Sequence, residues 1–288
     1  MIGAPIVETA AADADGVVRL AVALDRRVWC RVEPRERGVE VHSRDTGERT
    51  VSDDALDFAV GPASRVARVL AAFGVRSGVR VVTQVRVPED AGLGTEGALE
   101  VALSAALGRT GAEILARPFA SSLVTPEDPA ESDRHAAVLG GAHVLRWRGG
   151  SLKVERVAAD PARLEECLLL VDPGPGTGPS MAAPLAAGST AAVRAVETLD
   201  AGAHHEVTAI LAEVHRGRFD EASAALRNLA RTIVEAGGAA WPCGRLVAVW
   251  AAPGARASGA REAVLAALKG AGVRSFAARV DLRGLEVE

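Results

Sequence analysis

The sequence predicts an α+β fold in two domains, and three observations carry that expectation. Candidate strands come in consecutive hairpin-like pairs, helical stretches separate those pairs instead of alternating with single strands, and 288 residues at 49% hydrophobic content are enough for two cores. The composition shifts near Asp160-Pro161, so the expected domains are 1–160 and 161–288.

Val17 to Glu33 is rich in Val and Leu and reads as one or two strands with a bend near Asp25. Val39–Ser43 and Glu48–Ser52 flank Asp45-Thr46-Gly47 and read as a short hairpin. From Ala63 to Phe73 the apolar positions Val66, Val69, Leu70 and Phe73 fall at helical spacing, with Gly74 as the stop. Val79 to Val87 sets Val81, Thr83, Val85 and Val87 against Arg80, Gln84 and Arg86, the period of a strand.

Pro88 ends that strand, Ala91 to Thr95 forms a glycine-bearing turn, and a helix apolar nearly all round, hence buried, is expected over 96–107. An acidic, proline-bearing loop near Thr125 to Glu131 leads to Asp133-Arg134-His135. Gly140-Gly141 then breaks into a hairpin of Ala142–Trp147 with Leu152–Val157. Beyond the boundary, Cys167–Val171 reads as a buried strand. The stretches 190–199, 206–216 and 219–236 read as helices. Leu246–Trp250 is a strand, Glu262–Lys269 a helix and Phe276–Val280 a closing strand. The longest uncharged stretch, 173–193, holds too many Gly and Pro residues to span a membrane and reads as a loop entering a helix.

The strand–Gly-Leu-Gly-Thr–helix unit at 92–95 carries the chemistry. Glycines allow close backbone approach, and the exposed N–H groups and dipole of a helix start favour an anion. Gly92, Leu93, Gly94 and Thr95 are therefore candidate phosphate-binding residues, and the Thr95 hydroxyl can also serve Mg2+. A plain tight turn reads the same way. No Gly-Lys-Ser/Thr follows, so this is not a Walker A loop, and the glycine spacing is not that of a dinucleotide fingerprint.

The order of the surrounding segments resembles the GHMP kinase superfamily, and within it the heptose-phosphate kinase-like branch. Val87-Pro88-Glu89-Asp90-Ala91-Gly92-Leu93-Gly94-Thr95 is similar to that branch's Pro-x-x-x-Gly-Leu-Gly-Ser-Ser loop. Asp133-Arg134-His135-Ala136-Ala137-Val138-Leu139-Gly140-Gly141 is similar to its Asp-Gln-Tyr-Ala-Ala-x-x-Gly-Gly segment. The early strands from Asp15 and the tail from Ala278 to Val287 extend the likeness over roughly residues 15–288. The resemblance implies a two-domain GHMP kinase-like fold: a ribosomal protein S5 domain 2-like N-terminal domain followed by a ferredoxin-like C-terminal domain. It implies ATP and Mg2+ as cofactors and transfer of a phosphoryl group to a sugar or sugar-phosphate hydroxyl. It places Asp133 on the catalytic aspartate, which accepts or orients the proton of the attacking hydroxyl. Read without the resemblance, Asp133 is an N-cap candidate.

Several positions depart from the family pattern. The early glycine-rich substrate loop has no counterpart, since Ile6 to Asp15 contains no glycine run. Glu96 stands where the loop's second serine belongs, and a carboxylate about 4 Å from a phosphate charge costs roughly 4 kcal/mol at an effective dielectric near 20. A metal would reverse that sign, so Thr95 and Glu96 are the candidate metal ligands, with Glu100 one turn on; the plain reading of Glu96 is a charge at a helix start. Ala120-Ser121-Ser122-Leu123 offers no metal-binding glutamate. Ala240-Trp241-Pro242-Cys243-Gly244-Arg245 stands in place of the third, glycine-rich motif, with Arg245 either a nucleotide-binding residue or a surface arginine. Such losses also suit a catalytically inactive relative that binds a ligand or partner, or a non-kinase enzyme of the ribofuranosylaminobenzene-phosphate synthase type.

Other features narrow the chemistry. Lys153 and Lys269 are the only lysines, there is no tyrosine, and neither lysine lies near the loop or Asp133 in sequence, so phosphate chemistry must rest on backbone N–H groups, arginine and metal. His135 stands at the family's tyrosine position, where it either orients substrate or packs. His204-His205 reads as a solvated pair because helix neighbours do not share a face. A net charge of −4 and scattered aromatics argue against nucleic acid. Three separated cysteines point to a reduced cytoplasm, and Glu8, Asp13 and Asp15 near the start are unlike a signal peptide. A small-molecule partner and no membrane are expected; the sequence leaves the oligomeric state open.

Overall fold

A computed structural model describes residues 2–3, 6–13, 16–58, 62–87, 91–116, 129–148, 151–174, 189–215, 219–220, 222–253 and 259–287. Strands β1 (Ile2–Gly3), β2 (Ile6–Asp13), β3 (Gly16–Ala23), β4 (Val28–Pro34), β5 (Val39–Ser43) and β6 (Arg49–Ser52) come first. Then follow α1 (Pro62–Ala72), β7 (Val79–Val85), α2 (Thr95–Ala106), α3 (Gly111–Ala116), α4 (Pro129–Leu139), β8 (Ala142–Arg148) and β9 (Ser151–Arg156). The second half runs α5 (Pro161–Cys167), β10 (Leu168–Asp172), α6 (Ser189–Asp200), α7 (His204–Val214), α8 (Ala224–Glu235), β11 (Ala239–Cys243), β12 (Leu246–Trp250), α9 (Ala260–Gly270) and β13 (Arg274–Ala277).

The strands form three sheets. One has the order β1-β4-β7-β5-β6, antiparallel except for the parallel β5–β7 pair; the second is β2-β3-β8-β9 and the third β11-β12-β10-β13, both wholly antiparallel. This is the α+β class expected. The apolar stripe of α1 is buried at Val66, Val69 and Leu70 against Cys30, Val39, Val41 and Val81 of the first sheet. At about 1.5–3 kcal/mol per large aliphatic side chain, that burial outweighs the helix's weak intrinsic preference. Helix α2 packs against α1, α4 and β4 and buries Ala98, Val101, Ala102, Leu103 and Ala105. That burial follows from its nearly all-round apolarity.

Several elements differ from the reading above. Ile6–Asp13 is a full strand, paired with β3 from Ile6↔Ala23 to Asp13↔Gly16; its run of alanines hides the alternation that marks a strand. Asp160-Pro161, where the composition shifts, starts a helix that the pattern did not mark: Asp160 caps α5 by accepting from the Ala162 N–H at 3.0 Å, and Pro161 takes the first helical position. Helix α8 begins at Ala224, where Ser223 caps it, instead of at Phe219. One buried cluster draws on both sides of residue 160: Val18, Leu20, Val22 and Leu93 share it with Leu168, Val207, Leu211, Trp241 and Trp250.

The last segment is stitched to the first half. Val280 bridges Leu24, the Asp281 N–H donates to Ala23 O, and the Leu285 N–H donates to Val138 O just before α4 ends. Gly140 and Gly284, both left-handed, cross so closely that a methyl on either would overlap the other's backbone. Arg27 pairs with Asp281 at 2.5 Å and also with Glu286. No helix among the described residues is long and apolar enough to cross a membrane.

Candidate functional site

The loop between β7 and α2 is shaped by two left-handed glycines, Gly92 at φ 64° and Gly94 at φ 63°. Between them Leu93 turns its side chain into the core, where it is wholly buried, so it offers the loop only its backbone. Gly94 caps α2 without a side-chain hydrogen bond, and its carbonyl accepts from the Ala98 N–H at 3.1 Å. The N–H groups of Thr95, Glu96 and Gly97 consequently have no acceptor within the helix. Thr95 is half-buried at this helix start and Glu96 is exposed.

Asp133 reaches this helix start from α4. Its carboxylate lies against the Gly94 α-carbon, and its β-carbon fills the space a side chain at Gly97 would need. Asp133 sits inside α4, after Pro129, Ala130, Glu131 and Ser132, and not at the helix end, so the N-cap alternative is set aside. Helices α2 and α4 approach this closely because glycines at 94 and 97 leave room. Around Asp133, Arg134 and His135 are buried; His135 is packed into the protein.

The third contribution comes from the other half of the chain. A methyl on Gly92 would overlap the Gly244 nitrogen, and the Cys243 thiol donates to Gly92 O at 3.0 Å. The Ala240–Arg245 stretch is thus not a glycine-type approach loop but the buried strand β11 turning at Gly244-Arg245 into β12. Pro242 is tolerated because β11 is an edge strand, where a missing N–H breaks no ladder. Arg245 in that turn lies 3.7 Å from Asp172 at the end of β10, and Asp172 also accepts from the Gly174 N–H at 3.0 Å.

The structure therefore brings Gly92, Gly94, Thr95 and Asp133 to one place and sets the Gly244-Arg245 turn against it. Glu96 pairs with Arg65 of α1, a residue the sequence pattern did not single out. Among the described residues no group of three or more His, Cys, Asp or Glu side chains gathers as a metal site, so Glu96 and Glu100 do not form one with a third ligand. Residues 88–90, 120–123 and 175–178 lie outside the described residues. His204 is not a freely solvated residue: it stacks on Trp250 at 6.2 Å, while His205 beside it is exposed. Lys153 pairs with Glu155 in β9 and Lys269 lies in the last turn of α9, so neither lysine belongs to this cluster.

No family model matches the sequence, and no curated protein matches it. Solved structures do match, over nearly the whole chain. A D-glycero-D-manno-heptose 1-phosphate kinase from Bacteroides thetaiotaomicron is 15% identical at a TM-score of 0.73, covering 100% of this chain and 98% of that one. The Lactococcus lactis galactokinase complexed with galactose is 12% identical at a TM-score of 0.70, covering 99% and 95%. The L. major mevalonate kinase in complex with R-mevalonate is 16% identical at a TM-score of 0.67, covering 97% and 95%. These neighbours come from several branches, of which the heptose-phosphate branch is one. The α+β architecture described above is the GHMP kinase fold.

Proposed function

We propose that this chain is an ATP-dependent small-molecule kinase of the GHMP type, acting on a hydroxyl of a sugar or sugar phosphate. One observation carries the reading: the glycine loop at a helix start, Asp133, and the Gly244-Arg245 turn converge from three separate parts of the sequence. Two neighbours in fold are described as kinases of a heptose phosphate and of galactose, which supports a sugar-type substrate. The heptose-phosphate branch is the finer reading, favoured by the motif order in the sequence. The two halves, 1–160 and 161–288, are read as the two domains, with the loop facing the second.

The residues suit a nucleotide and its metal. The N–H groups of Thr95, Glu96 and Gly97 lack helical acceptors and can bind phosphate oxygens. Magnesium keeps several waters and takes few protein ligands, so the Thr95 hydroxyl beside the phosphate oxygens would serve it without a larger cluster. When bound, Mg·ATP supplies the phosphoryl group and neutralises its charge. The chain's own part is positional and electrostatic. Gly92 and Gly94 allow close approach, Asp133 accepts the hydroxyl proton, and Arg245, in the turn set against Gly92, would supply positive charge to the phosphates. Three cysteines well apart in sequence suit a reduced cytoplasm.

A second reading, a catalytically inactive relative that binds a ligand, is favoured by Glu96 at the serine position and by the strand where a glycine run is expected. Calorimetric titration with Mg·ATP separates the two. The kinase reading expects saturable binding to wild type, binding without turnover in Asp133→Ala, and turnover of wild type on a panel of sugars and sugar phosphates. Absence of binding to wild type together with binding to Glu96→Ser would establish the inactive relative.

A further inference from the structure

Glu96 is the most evident obstacle to a phosphate at the loop, and the fold supplies its counter-charge from a distant part of the sequence. Arg65 lies in the first turns of α1, and α1 packs against α2. Its Nη2 meets Glu96 Oε1. Both side chains are largely exposed, 46% for Arg65 and 56% for Glu96. An exposed pair of this kind adds little to stability, so maintaining the fold is a poor account of it. Its position is more telling. Glu96 is the second residue of α2, directly after Thr95, at the helix end whose first N–H groups have no helical acceptor. An unopposed carboxylate there competes with any anion for those donors and repels a polyphosphate.

We propose that Arg65 is a charge-compensating positioning residue. It neutralises Glu96 and holds that carboxylate aside, so that the loop accepts the polyphosphate of a nucleotide. The inference rests on the nucleotide-binding reading above and deepens it by naming the residue that reconciles Glu96 with that reading. A planar guanidinium, whose fork of donors matches a carboxylate, suits the task better than an amine.

The experiment is calorimetric titration of wild type, Arg65→Met, Glu96→Gln and the double variant with Mg·ATP, and separately with inorganic tripolyphosphate. Thermal melts without ligand serve as the control for folding. Compensation expects Arg65→Met to weaken binding about tenfold or more at low salt. It expects Glu96→Gln to bind at least as well as wild type, and the double variant to return within about threefold of wild type. The unliganded melting temperatures should agree closely. A purely structural arginine would not be rescued by removing the glutamate's charge.

Equal binding by wild type and Arg65→Met would overturn the proposal and leave the nucleotide reading standing. Weak binding by both Arg65→Met and the double variant would overturn it in favour of a direct arginine–phosphate contact. Binding by Glu96→Gln but not by wild type would also overturn it, since Arg65 would then fail to offset Glu96. Absence of binding by all four proteins would overturn both the proposal and the nucleotide reading.

Discussion

The carboxylate of Asp133 lies against the α-carbon of Gly94, in the space that any side chain at residue 94 would occupy. Gly94→Ala therefore acts twice. The left-handed backbone costs alanine roughly 1–2 kcal/mol, and the new methyl displaces Asp133. The expected outcome is a stability loss of about 2 kcal/mol in urea unfolding, with loss of phosphoryl transfer beyond what unfolding explains. Gly97→Ala, which overlaps only the Asp133 β-carbon in a helical backbone, should retain more stability and still impair transfer.

The junction of the loop with the β11–β12 turn gives a graded series. The Cys243 thiol donates to Gly92 O and is buried. Cys243→Ser keeps a donor, whereas Cys243→Ala leaves the carbonyl without this bond; the difference between them should be about 0.5–1.5 kcal/mol. Gly92→Ala forces the turn away altogether and should cost more than either. Equilibrium unfolding of the three variants reads the order directly.

Much of the fold was legible because the pattern and the cause coincide locally. The α1 stripe, the β5–β6 hairpin and the strand Leu246–Trp250 are each set by side chains within a dozen residues. Helix α5 was missed because Asp160-Pro161 was read only as a shift in composition, whereas Asp160 and Pro161 are a cap and a first-turn residue. β2 was missed because alanine carries no strong preference between faces. At the site, Gly92, Gly94 and Asp133 stood out from motif order, but Arg65 did not. Nothing in Ala63-Ser64-Arg65 marks it, and its partner lies on the next long helix. The meeting of Gly92 with Gly244 is likewise a tertiary event with no local signature.

His143, in β8, is buried, and burial pushes its imidazole down to about 4, with Arg156 and His135 adding in the same direction. In the unfolded chain it protonates near 6.5. Between these values the unfolded state binds a proton that the folded state refuses, so stability falls as pH drops from about 6.5 to 4. The loss reaches about 2–3 kcal/mol at the bottom of that window. Denaturant unfolding of wild type and His143→Phe at pH 7 and pH 4.5 should show the variant losing less on acidification.

The Arg27–Asp281 pair is largely buried, with side-chain exposures of 10% and 1%. Arg27 keeps Glu286 when Asp281 is lost, but removing Arg27 strands the buried Asp281 charge, and Arg27→Met should cost about 3–5 kcal/mol. Arg27→Met combined with Asp281→Leu should recover a large part of that loss. Melting temperatures of the single and double variants provide the check.

The crossing of Gly140 and Gly284 also bears on the order in which the molecule is made. The end of α4, and with it the platform for Asp133, is completed by a backbone bond from Leu285 to Val138. On the ribosome, more than a hundred residues separate those partners in time. Until the tail emerges, α4 lacks this final clasp, and the nascent first half has every strand of two sheets but not the finished seat of its aspartate. Closure over so long a separation is slow by nature. Assembly of the candidate site is thereby tied to the last segment of the fold, and a chain shortened before Val280 would hold the loop but not its fixed partner.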